Sequence, residues 1–323
     1  MIKADKYLKG TIKDILYNGT WDDNPRPKWG DGCSAYSKFV THKVFQYDLA
    51  KGEFPINTLR TTPLRGAWYD IEAIYLRQTN IIEEMHLSVR GWWADFVTNT
   101  SYKYLNPTGE EIKERVVGCD ESYKTEAIER GKILEINKRS LGSTYGYIVR
   151  KYDLMNILLR GLEENPFGRR HIMDLFQYTE QQEDPKALVP CAYSTTWSVR
   201  EVDGGIRYVD LLLNQRSQDF VVTASINPTQ YTMLLMVVCN HLTFKTNVLH
   251  KIGKLSHVVA NVHIYNRHIR QAEELLERNS TGIQPSIELN CKPKDFYSHS
   301  WADFNVVGME GVKSLGTKLE IAV

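Results

Sequence analysis

Two periods run through the hydrophobic pattern of this chain. Apolar residues recur at helical spacing over residues 7–16, and Asn18-Gly19 follows, which predicts an amphipathic helix that stops there. Residues 68–77 carry an apolar helical face. Residues 151–163 repeat it and stop before Asn165-Pro166, because the residue before a proline avoids the helical region. Residues 229–239 are almost wholly apolar, which predicts a buried helix, and residues 266–278 predict an amphipathic one.

The second period is that of strands. The β-branched and aromatic run 39–49 (FVTHKVFQYDL) reads as a strand, as do 193–199, 206–213 and 255–265. The turn signal Asp203-Gly204-Gly205 joins the middle two. Residues 22–32, rich in Asp, Pro, Gly and Arg, read as a loop, and the terminal KLEIAV as a strand or an ordered tail. Residues 99–139 are charged, carry turn signals and hold few large apolar runs, which predicts a small insertion and not a core layer. Strands and helices mix without a regular βαβ rhythm. The expected class is α/β in the broad sense (α+β), a mixed sheet packed with helices.

Composition narrows this picture. The 323 residues suit one large domain or two ordinary ones. Lys and Arg number 40 against 39 Asp and Glu, a net charge of +1, which argues against binding a nucleic-acid polymer by bulk charge. No run approaches a transmembrane length, and no membrane partner is expected. The five cysteines are widely spaced with no C-x-x-C, so neither a disulfide framework nor a metal site is expected, and reduced thiols in a cytoplasmic compartment fit better.

Four of those cysteines, Cys33, Cys119, Cys239 and Cys291, read as buried structural thiols. Cys191 differs because other segments supply helpers. A nucleophilic cysteine reacts as its thiolate, which nearby cations favour. Arg169 and Arg170 lie upstream of Cys191, Arg216 lies downstream, and Arg26 sits in the Pro-rich loop. Arginine is also the best side chain for a bidentate grip on phosphate.

The order of the motifs is more specific than any one of them. NPFGRRHI at 165–172 is followed by PCAY at 190–193, QRSQD at 215–219, Asn227 and VHIYNRH at 262–268. This series closely resembles the folate-dependent thymidylate synthase family, strongly over residues 151–277 and patchily over 1–96. The end, with Lys294-Asp295-Phe296-Tyr297 and EIAV, is similar to phage-type members, in which case the compartment would be the host cytoplasm.

The resemblance implies one catalytic domain over 1–323, the insertion near 99–139 aside, with a sheet face forming a homodimer interface. It implies that Cys191 attacks C6 of the uracil of dUMP. C5 then accepts a one-carbon unit from 5,10-methylenetetrahydrofolate, the co-substrate, which also returns a hydride to give dTMP and dihydrofolate. Arg26, Gln215, Arg216 and Ser217 are implied to hold the nucleotide, with Arg169 and Arg170 reaching its phosphate from the partner subunit. Those arginines would lower the thiol pKa of Cys191. His263 and Tyr265, two apart on a strand and so on one side, are implied to bind the sugar hydroxyl. Asn227 is implied to read the uracil edge, since an amide offers both donor and acceptor. Asp219 is implied to meet the pterin ring, Tyr145 to help remove the C5 proton, either Trp92 or Trp93 to pack on the reacting ring, and Val323 to contact the folate.

Three departures from the family pattern stand out. Asp70 occupies the place of a family glutamate and is one methylene shorter, so a bridging water or a weaker relay is expected, and Glu72 would replace it only with a shifted helix register. Ala260-Asn261 replaces a Gly-Asp, and Thr223-Ala224-Ser225-Ile226 replaces a Gly-x-Pro-Phe, which requires another backbone path. The family's hydroxymethylases also lose that aspartate, so a dUMP 5-hydroxymethylase, in which water replaces hydride, is the second reading. A non-catalytic relative that binds nucleotide or RNA is the third, and the intact Cys191, Arg216, Asn227 and Tyr265 weigh against it.

Overall fold

The structure is a computed structural model that describes residues 1–323 apart from 106–110, 113–132, 203 and 318. In chain order its strands are β1 (Thr20–Trp21), β2 (Ser37–Asp48), β3 (Asn99–Leu105), β4 (Glu111–Ile112), β5 (Ile133–Ser140), β6 (Ile172–Asp174), β7 (Ala192–Val202), β8 (Ile206–Asp219), β9 (His250–Tyr265), β10 (Ser286–Leu289) and β11 (Phe304–Val307). Six of them form the main sheet, in the order β1-β2-β9-β8-β7-β6. β8 and β9 run parallel and the other neighbours antiparallel, so the sheet is mixed, as the pattern predicts. A sheet of order β4-β3-β5 stands apart from it in the region expected to be an insertion. The rest of that region, Cys119 included, lies outside the described residues.

The predicted helices form, with changed ends. The first spans Lys3–Asn18 and buries Leu8, Ile12 and Ile15 against the sheet. The face expected at 68–77 begins earlier, as the Leu64–Ile71 helix, and widens into a π-helical turn over Glu72–Leu76. π-turns inside helices gather at functional sites, and this one begins two residues after Asp70. The single helix expected over 151–163 is two, Gly146–Lys151 and Leu154–Glu164, because Asp153 between them adopts a left-handed φ of 51° that breaks the helix. The last predicted helix opens as a 3-10 turn over Asn266–His268 before Ile269–Glu277.

The central helix is Ile226–Thr246, in which Met233, Leu234, Leu235, Val237, Val238 and Leu242 are fully excluded from solvent. With the preceding turn it makes a stretch, Phe220–Thr246, long and apolar enough to cross a membrane, which the sequence reading had not anticipated. It is 78% buried inside the fold, so here it serves as a core helix that is hydrophobic on all sides. Trp68 and Trp197 add the largest fully buried side chains, each worth about 2–3 kcal/mol of transfer free energy.

The hairpin predicted between β7 and β8 is present, with Gly204 and Gly205 both at positive φ. At its other end the register slips between Ala192 and Ser194, one residue past Cys191. Residues 319–323 form no strand. They are nevertheless ordered, since Val323 exchanges both backbone hydrogen bonds with Lys28, at 2.7 and 2.9 Å.

Candidate active site

A cavity of about 760 Å³ opens at the end of β8 and β9, within the size range of small-molecule sites. It is lined by Arg26, Asp70, Trp92, Trp93, Tyr145, Cys191, Gln215, Arg216, Ser217, Asp219, Asn227, His263, Tyr265 and Val323, all singled out in the sequence. Arg169 and Arg170 are not among them; both are exposed on the surface of the chain.

Cys191 sits where β7 begins. Its backbone N–H donates to the Tyr145 hydroxyl at 2.9 Å, and the Arg216 guanidinium lies 3.6 Å from its sulfur. Arg216 also donates to the carbonyls of Pro190 and Val189, at 3.1 and 2.7 Å, so it braces the loop that presents the thiol. Within this single chain the expected lowering of the thiol is not seen. Burial pushes the Cys191 thiol up from its usual range, and the pull of Arg216, Tyr145 and Arg26 in the other direction does not offset it. Arg169 and Arg170, exposed and outside the cavity, add nothing to that pull within this chain.

Tyr145 is held by an unusual backbone. Its φ of 43° with ψ of −111° is outside the ordinary regions for a bulky residue. The next residue, Gly146, lies against the backbone of Thr79, where any Cβ would collide, so the turn admits only glycine there. Strain of this kind persists only where the surroundings over-determine it, and it orients the Tyr145 hydroxyl at Cys191.

Both tryptophans line the cavity, in different settings. The Trp92 ring packs on Gly66 of the Leu64–Ile71 helix. Trp93 donates its indole N–H to Asp70 Oδ1 at 2.6 Å and meets the Tyr145 ring edge-on at 5.2 Å. Asp70 is buried, and burial raises its carboxyl to about 6 despite the donors that face it. Glu72 does not line the cavity; it faces Arg77 at 3.4 Å, so the helix keeps the register that presents Asp70.

Asp70 reaches its protein neighbours by direct hydrogen bonds. Gln230 Nε2 donates to Asp70 Oδ2 at 2.6 Å, and Gln230 Oε1 accepts from Asn227 Nδ2 at 3.1 Å. Asn227 Oδ1 in turn accepts from Gln215 Nε2 at 3.1 Å, while Gln215 Oε1 faces His257 Nε2 at 2.8 Å. Burial lowers the His257 imidazole to about 3, so the ring is neutral and its Nε2 donates.

His263 and Tyr265 do share one side of β9, with ring centroids 4.9 Å apart. Asp219 caps the short Phe220–Thr223 helix by accepting from the Val222 N–H at 3.3 Å. The tail pairs with the loop that carries Arg26, and Arg267 joins the two by reaching both Glu320 and Asp31, at 2.9 and 2.6 Å.

Sequence reasoning missed Gln230, His257 and Arg60. Two amides one helical turn apart, Asn227 and Gln230, at the start of an otherwise apolar helix were a usable signal. Arg60 gave none: it lies in the cavity wall, donates to the carbonyls of Val221 and Val222, and is drawn down to about 10 by burial. The reading of the other cysteines as buried thiols holds for Cys239; Cys291 is only partly buried, and Cys33 is exposed because it lies in the polar loop before β2.

Comparison with known proteins agrees with this arrangement. The family model described as thymidylate synthase matches residues 5–323. A thymidylate synthase of Streptococcus mutans is 36% identical over 316 residues, covering 97% of each chain. One of Lactococcus lactis is 35% identical over 317 residues, again with 97% of each chain covered. Thermostable thymidylate synthase A of Bacillus subtilis shares the fold, with a TM-score of 0.71, 24% identity and 99% of each chain covered. A match of that extent, on the same fold, places this chain in the thymidylate synthase family, whose activity is a one-carbon (methyl) transfer.

Proposed function

We propose that the chain converts dUMP to dTMP with 5,10-methylenetetrahydrofolate as co-substrate, through a covalent bond from Cys191 to the pyrimidine. The observation that carries this reading is the meeting of Cys191, Arg216 and Asn227 in one cavity, with the sulfur 3.6 Å from the guanidinium. The residues present fit both substrates. Arg26, Arg216 and Ser217 suit a phosphate dianion, while Trp92, Trp93, Ile71, Val222 and Leu319 give the apolar wall that a pterin and its aryl group require.

In this reading Arg216 and Ser217 anchor the nucleotide so that the Cys191 thiolate meets C6. The sulfur adds to C6, and the electron pair of the 5,6 double bond moves toward C5 and O4, where the Asn227 amide stabilises it. The folate supplies the one-carbon unit and the hydride. Tyr145 helps remove the C5 proton, which leaves as the one-carbon unit becomes the new C5 substituent, and the C6–sulfur bond breaks to free Cys191. His263 and Tyr265 hold the sugar, Trp93 keeps water from the reacting carbon, and Val323 closes the folate end.

The protein acts as a cytoplasmic homodimer in which Arg169 and Arg170 serve the partner's phosphate. Their exposure outside their own cavity supports this, as do exposed Phe167 and Ile172 beside them. The whole chain works as one catalytic domain, with residues 99–139 as an accessory insertion.

The test is a product assay. Purified protein, dUMP and methylenetetrahydrofolate should yield dTMP and dihydrofolate, and Cys191→Ala should yield neither. 5-Hydroxymethyl-dUMP with tetrahydrofolate as the sole products would replace this reading with the hydroxymethylase one.

A further inference from the structure

Asn227 alone does not decide which pyrimidine is read. Its amide has two N–H groups and two lone pairs. One N–H is spent on Gln230 Oε1 and one lone pair on Gln215 Nε2, at 3.1 Å each. That leaves one donor and one acceptor. A uracil edge offers O4 and N3–H, whereas a cytosine edge offers an amino group and a bare N3. The same Asn227 amide, turned by half a rotation, would therefore suit cytosine.

What prevents the rotation is a chain of donors anchored at both ends. At one end Gln215 Nε2 also donates to the carbonyl of Ser217 at 2.9 Å, and a backbone carbonyl only accepts. At the other end Gln230 Nε2 donates to Asp70 Oδ2 at 2.6 Å, and Trp93 Nε1 donates to Oδ1 at 2.6 Å. A carboxylate likewise only accepts. Gln230 must therefore aim its nitrogen at Asp70 and its oxygen at Asn227, which forces the nitrogen of Asn227 toward Gln230. Gln230 is buried, at 4% exposure, so an end left unpaired costs free energy.

We propose that Gln230 and Asp70 act as one specificity unit: Gln230 is a positioning residue that fixes the orientation of the Asn227 amide and thereby favours uracil over cytosine nucleotides. The inference rests on the proposed function. It also gives a physical reason for Asp70. The short carboxylate and the long amide together span the gap to Asn227, so the methylene missing from one side chain is present in the other.

The experiment measures dissociation constants for dUMP and dCMP by calorimetry in the wild type, Gln230→Met, Gln230→Asn, Asp70→Glu and the double variant Asp70→Glu/Gln230→Asn. Methionine keeps the volume but removes both hydrogen-bonding ends. In Gln230→Met the preference for dUMP should fall about tenfold, the worth of one buried hydrogen bond. The double variant restores the combined length, so its preference should recover to within about twofold of wild type while both single variants fall short. An unchanged preference in Gln230→Met overturns the inference, and so does a double variant no better than its singles, which remains decisive if Gln230→Met fails to fold. A wild type that does not bind dUMP overturns the proposed function and this inference with it. Tight dUMP binding with no effect of Gln230 overturns the inference alone.

Discussion

Arg216 holds Cys191 from two directions: its guanidinium lies 3.6 Å from the sulfur and also clamps the carbonyls of the two preceding residues, Val189 and Pro190. The thiol is nevertheless pushed upward, because burial outweighs the nearby charge. Removing the charge should push it further. In Arg216→Met the pH midpoint for alkylation of Cys191, followed by mass mapping of that peptide, should rise. The KM for dUMP should increase about 10- to 100-fold, the range for losing a charged hydrogen bond. A midpoint that falls or stays fixed would show that Arg216 exerts no electrostatic pull on the thiol.

Tyr145 carries a second prediction. Its hydroxyl accepts the Cys191 backbone N–H in a site where its own backbone is strained. Tyr145→Phe keeps the ring contact with Trp93 and removes only the oxygen. Turnover should drop about 10²- to 10⁴-fold, as for a lost proton-transfer group, while the dissociation constant for dUMP changes little. Equal losses in binding and turnover would assign the hydroxyl to nucleotide binding instead.

Asp70 gives a pH prediction with a definite sign. Its carboxyl is raised to about 6, from an ordinary value of 3.8, because burial penalises its charge. The folded state therefore holds this proton more tightly than the unfolded chain does. The associated stability is fully present below about pH 4 and is lost as pH rises through 6, up to roughly 3 kcal/mol in all. Thermal unfolding of Asp70→Asn should gain on the wild type between those pH values and run parallel to it above pH 7. Activity moves the other way. The ionised form anchors Gln230, so wild-type kcat/KM for dUMP should fall as pH drops through about 6, and that limb should be missing in Asp70→Asn.

The motifs at 190–193, 215–219 and 262–268 with Asn227 made much of the cavity legible in the sequence, since the nucleophile, phosphate fork and base reader proposed there each need particular side chains, whereas the motif at 165–172 lies outside it. Local periodicity also found the central helix and the β7–β8 hairpin, because those elements bury one consistent pattern. What it missed depends on packing between distant segments. The break at Asp153 is a backbone rotation within an unbroken apolar pattern. The net rise of the Cys191 thiol depends on how much of the fold covers it, which spacing does not encode. Gln230 meets Asp70 across 160 positions of chain, so neither residue announces the other. Trp92 and Trp93 differ in one indole N–H that finds a buried carboxylate, a partner 23 positions away that spacing does not show.

The terminal segment supplies the last prediction. Val323 and Lys28 exchange backbone hydrogen bonds, and Lys28 follows Pro27 in the loop that brings Arg26 to the cavity. Arg267 ties the same two segments by pairing with Glu320 and Asp31 and by lying over the Trp29 ring at 4.8 Å. The Asp31 carboxyl is held at about 2, chiefly by its hydrogen bond from Arg267, so the pair stays ionised across the working pH range. These groups are exposed, and exposed ion pairs contribute little to global stability and weaken in salt. Arg267→Met should therefore leave the unfolding temperature within about 2 °C of wild type. It should also raise the KM for the folate roughly two- to tenfold at low ionic strength, and the gap to wild type should shrink as salt is added. The dUMP dissociation constant should rise by less, because in the proposed function Arg26 is one of several groups on the phosphate while the tail closes the folate end. A folate KM that is unchanged at low salt would show that the backbone pair with Lys28 holds the tail without help from Arg267.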